Sequence, residues 1–134
     1  MIHPLTFFPL QGIVWHQGKS NLGSSDEYAD LFMSLIADWR DKWQKPQMPF
    51  YFVQLSNHGK KEEIQDDSDW AAIREAQAQT LHLNHTGMVV TTDIGKGKSN
   101  TFQSTLETGL RLSQLALKPV SYTHLRAHET LRHL

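Results

Sequence analysis

Residues that could carry out hydrolytic chemistry follow the first apolar run of the chain. Ser20 offers a hydroxyl nucleophile, and His16, four residues earlier, offers an imidazole that could accept its proton. Such a pair also needs a carboxylate that holds the imidazole in place. The spacing does not establish that His16 reaches Ser20. Two interpretations therefore stay open, a nucleophile with its base or a loop hydroxyl without a chemical role, and the second is favoured.

Two loops that contain glycine and lysine suggest anion binding. Gly18-Lys19-Ser20 follows an apolar run, but a phosphate-binding loop requires four residues between its first glycine and the Gly-Lys pair. Five residues separate Gly12 from Gly18, so the required glycine position holds Ile13 and no phosphate-binding loop is predicted. Residues 95–99, GKGKS, offer backbone amides and two ammonium groups to an anion, although a basic turn without a ligand is the favoured interpretation.

The histidines do not predict a metal site. His82 and His85 lie near the end of a predicted helix, where histidine suits the negative terminus, and no further ligand stands at metal-binding spacing beside them. His124 and His128 are at i,i+4 and could chelate a metal on a helix, but they belong to a C-terminal segment set aside below. The chain has no cysteine, which excludes thiolate sites, disulfides and cysteine nucleophiles. We expect neither a metal nor a cofactor.

Hydrophobic patterns define the first elements that must position these residues. Residues 12–16 form a β-branched and aromatic run that predicts a buried strand, and a polar loop over 17–25 follows. The next segment predicts a helix that Ser24 or Ser25 could cap and that ends before Pro46. Its apolar residues share one face at helical spacing. They are Tyr28, Leu31, Phe32, Leu35, Ile36, Trp39 and Trp43.

Two further strand and helix pairs follow. Strands are predicted over 50–55 and 88–92, and helices over about 68–83 and over 104–117. Residues 56–69 are strongly polar and predict a solvated loop. Strands that alternate with helices predict an α/β fold with a mostly parallel sheet covered on both faces.

Functional groups of such folds gather in the loops beyond the carboxyl ends of the strands. Here those loops begin at Gln17, at Ser56 and at Asp93. The order of elements therefore points to two candidate site segments, Gln17–Asn21 and Asp93–Gln103, before any family is considered.

The composition is that of an ordinary globular domain. Its 134 residues suffice for one domain. With 13 basic and 14 acidic residues the net charge is −1, so no broad attraction to nucleic acid or to an anionic membrane is expected. No apolar run approaches the roughly 20 residues of a membrane span. Residues 1–12 lack the basic region and the cleavage site of a secretory signal.

Several motifs together resemble the C-terminal part of the esterase domain of sialate O-acetylesterases, a branch of the SGNH-hydrolase superfamily. The most specific is GIVWHQGKSN at residues 12–21, which is similar to the family's strand followed by Trp-Tyr-Gln-Gly-Glu-Ser-Asn. Five shorter elements match in order and spacing, so the resemblance covers residues 1–118. They are Asp38-Trp39-Arg40, Pro49 to Leu55, Arg74 to Gln77, Asp93-Ile94-Gly95 and Gly109 to Leu112.

The resemblance implies a three-layer αβα SGNH-hydrolase fold, flavodoxin-like in its parallel sheet, with the N-terminal strands missing. It implies that acetyl groups are removed from sialic acid or other sugars by serine acyl transfer. The family asparagine that matches Asn21 donates a hydrogen bond to the oxyanion, and Gln17 and Gly18 match the same substrate loop. Such a preorganised donor is worth ~2.7–4 kcal/mol of activation free energy. A polar loop residue that caps the next helix is the alternative for Asn21.

The chain departs from the family pattern where the nucleophile and the base are expected. The family's nucleophilic serine lies in an upstream Gly-Gln-Ser-Asn element, and residues 1–11 contain nothing similar. Its histidine base and aspartate lie between Asp-Ile-Gly and Gly-x-Arg-Leu, yet residues 96–108 contain neither residue type, and Thr101-Phe102 occupies the expected His-Pro position. Lys19 also replaces the usual glutamate. We therefore expect no nucleophile, no base and no turnover in this chain.

The C-terminal residues 119–134 resemble nothing in the family. We interpret them as an artefactual or disordered tail, so the predicted partial esterase domain covers residues 1–118. The resemblance implies a small acetylated sugar as the partner, and neither nucleic acid nor a membrane is expected. Family members commonly act outside the cytoplasm, but the sequence shows no signal for it, and the compartment and the oligomeric state stay open.

Two other functions remain compatible with the sequence. One is a non-catalytic carbohydrate-binding protein, in which Trp15, Tyr51 and Trp70 could stack on a sugar, although aromatic residues in such elements more often belong to the core. The other is a gene fragment without an independent function.

Overall fold

The computed structural model describes residues 2–56, 68–94 and 104–118. Within these ranges, three strands alternate with three helices. In chain order they are β1 (Ile13–Trp15), α1 (Ser25–Lys42), β2 (Phe50–Val53), α2 (Ser68–Gln79), β3 (Thr86–Val89) and α3 (104–118). Short 3-10 turns cover His3–Phe7, Lys19–Asn21 and Thr80–His82. The alternation of strands and helices predicted from the hydrophobic pattern is therefore confirmed.

The three strands form a parallel sheet in the order β1-β2-β3. Val14 of β1 is in register with Tyr51 of β2, and Tyr51 is in register with Gly87 of β3. Parallel neighbours need crossover connections, and α1 and α2 lie in these crossovers. Because the strands run in the same direction, the loops that leave their carboxyl ends share one edge of the sheet.

One face of the sheet packs against α1 and α2. Phe50 and Phe52 of β2 are fully buried there. Phe32 of α1 meets both rings edge-on, with centroids 5.7 and 5.1 Å away. Ile36 of α1 and Ile73 of α2 belong to the same buried cluster. The apolar face predicted for α1 therefore contributes to the core.

The third helix, α3, packs against the opposite face. Gly87 of β3 is buried beneath it, and a Cβ atom there would lie 2.8 Å from Cδ2 of Leu115 and 2.9 Å from Cδ1 of Tyr51. The missing side chain thus allows α3 to approach the sheet closely. Helices on both faces give the three-layer αβα arrangement that the resemblance implies.

Arg40 of α1 joins the segments that enter β2 and β3. Its Nε donates to the carbonyl oxygen of Met48 at 3.0 Å. Its Nη2 donates to the carbonyl oxygens of Asn84 and His85 at 2.8 and 3.1 Å. Burial lowers the pKa of Arg40, and these three acceptors compensate for the lost hydration of the cation.

All three strands differ in their boundaries from the sequence prediction: β1 covers Ile13–Trp15 rather than 12–16, and the larger differences are in β2 and β3. β2 ends at Val53 rather than Leu55, and β3 occupies Thr86–Val89 rather than 88–92. The register explains both differences, because Val53 pairs with Val89 at the end of the ladder. Apolar residues beyond this pair continue the hydrophobic run without continuing the strand. Hydrophobicity alone therefore shifts the predicted strand towards its carboxyl end.

Two details of α1 also correct the sequence prediction. Ser24 occupies the N-cap position, but its side chain makes no capping hydrogen bond. Leu31, which shares the predicted apolar face, is 58% exposed. The apolar stripe of α1 is wider than the surface that the sheet and α2 cover.

Several predicted features lie outside the described residues. They are most of the polar loop at 56–69, the anion-loop candidate at 95–99, the interval 96–103 where the family's base is expected, and the tail 119–134 with His124 and His128. Over the ranges that are described, no helix is long and apolar enough to cross a membrane.

Candidate functional site

The polar turn after β1 lies at the carboxyl edge of the sheet. Lys19–Asn21 forms one 3-10 turn, in which the amide of Asn21 donates to the carbonyl oxygen of Gly18 at 3.0 Å. This turn brings together the side chains of Gln17, Ser20 and Asn21. Gln17 Nε2 donates to Ser20 Oγ at 3.0 Å and also donates to Asn21 Oδ1. The candidate site segment predicted at Gln17–Asn21 is thus a single hydrogen-bonded cluster.

These contacts orient the side-chain amide of Asn21. Its Oδ1 accepts from Gln17, so its Nδ2 lies on the other branch of the planar amide. Asn21 Nδ2 makes no hydrogen bond to the part of the chain that the structure describes. An amide held through its oxygen can offer its nitrogen to a negatively charged oxygen, which is the chemistry that the resemblance implies for this residue.

Two buried side chains fix the position of Gln17. Gln77 of α2 is 1% exposed and donates from Nε2 to the carbonyl oxygen of Gln17 at 3.1 Å. The hydroxyl of Tyr28 in α1 lies 3.2 Å from the same carbonyl oxygen and 3.3 Å from Gln17 Oε1, with geometry to donate to either. Burial raises the pKa of Tyr28, while its hydrogen bond with Gln77 opposes part of this effect. The hydroxyl therefore stays protonated at neutral pH and keeps its ability to donate.

Gly18 gives the loop room beside α2. Its φ is 158° and its ψ is −32°, a combination that suits glycine. A Cβ atom at Gly18 would lie 2.9 Å from Gln77 Nε2 and 3.7 Å from Cγ2 of Ile73. The glycine thus permits the close approach between the loop and the buried amide.

Sequence reasoning missed Gln77 and Tyr28 as residues that support the site. Tyr28 contributes to the apolar pattern of α1, and that pattern does not reveal the role of its hydroxyl. The signal for Gln77 was its position on α2, one turn after Ile73 and three residues before Thr80, all of which are buried. A glutamine on the buried face of a helix needs polar partners, and this requirement could have marked it.

A cavity of about 370 Å³ opens at the same edge of the sheet. Residues that follow all three strands line it, so the three loops do converge as the topology predicts. Its walls combine a histidine and five hydroxyl side chains with an apolar surface. The lining residues are His16, Ser56, Thr91, Ser104, Thr105, Thr108, Val14, Val53, Ile94, Gly109 and Leu112.

The proposed nucleophile and base pair is not assembled in the structure. Gln17 Nε2 donates to the hydroxyl of Ser20, and no hydrogen bond joins Ser20 to His16 within the described ranges. His16 instead lines the cavity. This arrangement supports the favoured interpretation of Ser20 as a loop hydroxyl.

The loop after β3 is anchored to α3 by a bidentate ion pair. Arg111 donates from Nη1 to Asp93 Oδ1 at 2.8 Å and from Nη2 to Asp93 Oδ2 at 2.7 Å. Nη1 also donates to the carbonyl oxygen of Val90 at 2.7 Å, and Nε donates to Glu107 at 3.2 Å. The hydrogen bonds with Asp93 are the largest cause of a raised pKa at Arg111. Two elements named by the resemblance, Asp93-Ile94-Gly95 and the Gly109 to Leu112 segment, are therefore in direct contact.

The aromatic candidates for sugar stacking include a core residue. The ring of Trp15 stacks on Phe32 with centroids 6.1 Å apart and meets Trp39 edge-on at 5.8 Å. Tyr51 contacts Gly87 beneath α3. Trp15 is partly buried and packs against the hydrophobic core, which removes one support for a carbohydrate-binding protein without catalysis. Within the described part of the chain, no group of three or more His, Cys, Asp or Glu side chains could hold a metal ion.

Comparison with known proteins gives a consistent result. The family model "Carbohydrate esterase, sialic acid-specific acetylesterase" matches residues 4–118. Sialate O-acetylesterase of Mus musculus is 36% identical over 93 residues, which are 63% of this chain and 16% of the mouse protein. Sialate O-acetylesterase of Homo sapiens is 39% identical over 74 residues, which are 49% of this chain and 14% of the human protein. The chain thus spans only a small part of the length of these relatives.

A solved structure extends the similarity to three dimensions. The crystal structure of a carbohydrate acetylesterase from Xanthomonas citri matches this chain with a TM-score of 0.65 and 38% sequence identity. The match covers 74% of this chain and 23% of that protein. The sheet and helices described above therefore correspond to one part of a larger fold.

Proposed function

Since its residues 4–118 match the family model, the chain belongs to the sialic acid-specific acetylesterase family of carbohydrate esterases, and we propose that it takes part in hydrolysing O-acetyl esters of sialic acid or another sugar. The hydrogen bond from Gln17 Nε2 to Asn21 Oδ1 is the observation that carries this proposal. It leaves the Asn21 nitrogen as a donor at the carboxyl ends of the strands, shortly after the cavity-lining residue His16 in the chain, although Asn21 and Gln17 do not themselves line the cavity.

The reaction is a serine acyl transfer. A serine oxygen bonds to the acetyl carbonyl carbon while its proton passes to a base, and the carbonyl oxygen becomes an oxyanion. The sugar oxygen then leaves with that proton, and an acetyl-enzyme remains. Water then gives a proton to the base and bonds to the acetyl carbon, forming a second oxyanion; the bond to serine breaks, the serine oxygen takes that proton back, and acetate is released. Asn21 donates from Nδ2 to each oxyanion, an interaction worth ~2.7–4 kcal/mol of activation free energy.

We propose that these 134 residues contribute the oxyanion side of the site and do not turn over by themselves. Residues 96–108 contain no histidine and no aspartate. The hydroxyl of Ser20 accepts a hydrogen bond from Gln17 and has no hydrogen bond to a base in the described residues. Lys19 places a cation where the family has an acid, and its side chain is exposed. The residues present therefore stabilise negative charge without supplying the attacking oxygen or its base.

The cavity offers a place for the acetylated sugar. Hydroxyl side chains such as Ser56, Thr91 and Ser104 match the hydrogen-bonding groups of a sugar. Val14 and Val53 supply an apolar wall for the acetyl methyl group. The partner proposed for this chain is thus a small acetylated sugar.

A hydrolysis assay tests the proposal about turnover. The purified chain is incubated with p-nitrophenyl acetate and with O-acetylated sialic acid, and acetate release is compared with that in buffer. We expect no release above the buffer rate. A rate that Asn21→Ala abolishes would show instead that the chain contains a working site.

Calorimetric titration tests whether Asn21 contributes to ligand binding. We expect a methylphosphonate ester of sialic acid, whose anionic oxygens resemble the oxyanion, to bind, and Asn21→Ala to weaken the binding. Asn84→Ala is a matched control. Asn84 is exposed just before β3, at the amino ends of the strands and away from Asn21, and only its backbone oxygen contacts Arg40. Absence of binding, or equal weakening by the two variants, contradicts the assignment of Asn21.

A further inference from the structure

We propose that Gln77 is a positioning residue that fixes the side-chain amide of Asn21 through Gln17. This inference rests on the proposed function for its catalytic meaning, because Asn21 is the residue that would touch the oxyanion. Gln77 itself lies in α2, away from the reacting atoms, and acts through the polar turn after β1.

The side-chain amide of Gln77 makes hydrogen bonds through both its oxygen and its nitrogen. Its Oε1 accepts from the backbone amide of Leu55 at 2.8 Å, where β2 has just ended. Its Nε2 donates to the carbonyl oxygen of Gln17 at 3.1 Å and lies 3.4 Å from the hydroxyl of Tyr28. One buried amide therefore joins α2, the end of β2, α1 and the turn after β1. A buried amide without these partners would be costly, so the side chain has one favourable orientation.

Gln17 and Tyr28 connect Gln77 with Asn21. Gln77 and Tyr28 share the backbone oxygen of Gln17, and Tyr28 also reaches Gln17 Oε1 at 3.3 Å. When Oε1 of Gln17 is held by Tyr28, its Nε2 faces the turn and donates to Asn21 Oδ1. Gln77 holds the backbone oxygen of Gln17 and the hydroxyl of Tyr28. Tyr28 in turn reaches the side-chain amide that holds Asn21, so these contacts run from Gln77 to Asn21.

The absence of a side chain at Gly18 leaves the space in which Gln77 reaches the turn. A Cβ atom at Gly18 would lie 2.9 Å from Gln77 Nε2, closer than an unstrained contact permits. The glycine of the turn and the glutamine of the helix are therefore fitted to each other. Both belong to segments matched by the family resemblance, residues 12–21 and 74–77, which lie far apart in the sequence.

The chemical reason for such positioning lies in the oxyanion. A donor lowers the activation barrier only when it already points to the place where negative charge develops, since reorientation during the reaction costs free energy. Asn21 lies on a single 3-10 turn with few internal hydrogen bonds. The buried contacts of Gln17 thus provide the rigidity that the turn itself lacks.

Nuclear magnetic resonance of the 15N-labelled chain tests the inference without requiring turnover. The side-chain NH2 signals of Asn21 are assigned from their loss in Asn21→Ala. We expect Gln77→Met, which keeps the volume and removes the amide, to shift these signals and to accelerate their hydrogen exchange with water.

Gln54→Met provides a matched control. Gln54 also joins the end of β2 to α2, through a hydrogen bond from its Nε2 to the carbonyl oxygen of Arg74 at 3.1 Å. Within the described residues it makes no hydrogen bond to the turn after β1, so its loss should leave the Asn21 signals in place. Unchanged Asn21 signals in Gln77→Met, or equal changes in the two variants, overturn the proposal.

A second variant keeps the test decisive if Gln77→Met does not fold. Tyr28→Phe removes only one hydroxyl, together with its contacts to the backbone oxygen and to Oε1 of Gln17. We expect it to shift the Asn21 signals in the same sense, and an unchanged spectrum of Asn21 overturns the proposal. Because these readouts report geometry without substrate, they stand apart from the hydrolysis and titration experiments, which test the proposed function itself.

Discussion

At the scale of single residues, the site depends on the orientation of side-chain amides. The segment Gln17–Asn21 could be selected from the sequence because a strand followed by a polar turn predicts where functional groups gather, and the family resemblance singled out Asn21, Gln17 and Gly18 within it. The position of Gln77 on the buried face of α2 could mark it as a residue that needs polar partners, but its partner Gln17 could not be predicted, because Gln17 lies 60 residues away along the chain. Spacing predicts which residues share a turn, whereas buried hydrogen bonds between elements depend on how those elements pack.

The buried hydroxyl of Tyr28 predicts a pH effect on stability. Burial raises the pKa of Tyr28 above its usual value of 10.0. As the pH rises above that value, the unfolded chain loses this proton before the folded chain does, so stability is full below pH 10 and falls above it. We expect Tyr28→Phe to lose less stability than the original chain between neutral and strongly alkaline pH.

Urea unfolding across this pH range measures the effect. Tyr51→Phe is the control, because Tyr51 is half-buried beneath α3 and outside the Gln17 cluster. The quantity to compare is the slope of unfolding free energy against pH, since removal of the hydroxyl also changes stability at neutral pH. Parallel curves for Tyr28→Phe and the original chain contradict the prediction.

At the scale of elements, hydrophobic periodicity predicted the identity and order of every strand and helix described here. It did not predict the ends of β2 and β3, because these depend on where Val53 and Val89 stop pairing. Nor did it predict which helix covers which face of the sheet. That arrangement rests on particular contacts, such as the space at Gly87 that admits α3.

The contacts of Arg40 predict a loss of stability when its guanidinium is removed. Arg40→Met keeps the aliphatic stem but leaves the carbonyl oxygens of Met48, Asn84 and His85 without their donor. Because the site is half-buried and water replaces part of the loss, we expect about 2 kcal/mol less unfolding free energy. Chemical denaturation measures this difference.

A neighbouring cation provides the control for Arg40. Lys42 also lies near the end of α1, but its contact is an exposed ion pair with Asp38 at 2.6 Å. Such i,i+4 pairs contribute only about 0.3–0.5 kcal/mol. If Lys42→Met costs as much as Arg40→Met, the carbonyl contacts of Arg40 are not what stabilises the entry to β2 and β3.

Replacement of glycine by alanine is expected to change stability in opposite directions at two positions. A methyl group at Gly87 would meet Leu115 and Tyr51 at under 3.0 Å, so Gly87→Ala should cost about 1–3 kcal/mol of stability. A methyl group at Gly109 in α3 meets nothing within 4 Å, so Gly109→Ala should stabilise by about 0.5–1 kcal/mol. Thermal unfolding of the two variants gives the sign of each effect. A stabilised Gly87→Ala variant contradicts the close packing of α3 on β3.

At the scale of the whole molecule, large apolar side chains are exposed in the N-terminal segment at Leu5, Phe7 and Phe8, on β1 and along α3. Val14 is 59% exposed on β1, which lies at one edge of the described sheet. On α3, Leu106, Leu110 and Leu117 are 50–63% exposed and recur at intervals of four and seven residues, so they form one apolar stripe. An edge strand beside an apolar face favours association with other chains.

We therefore expect the isolated chain to self-associate as its concentration rises. Light scattering after size-exclusion chromatography measures the apparent mass over a concentration series. Replacing the three stripe leucines by glutamine should lower the association, because the apolar area of α3 is then lost. Leu31→Gln is the control. Leu31 has a similar exposure of 58% but lies on α1 and does not belong to the apolar stripe of α3. A chain that stays monomeric throughout the series and melts cooperatively shows that the exposed stripe does not drive association.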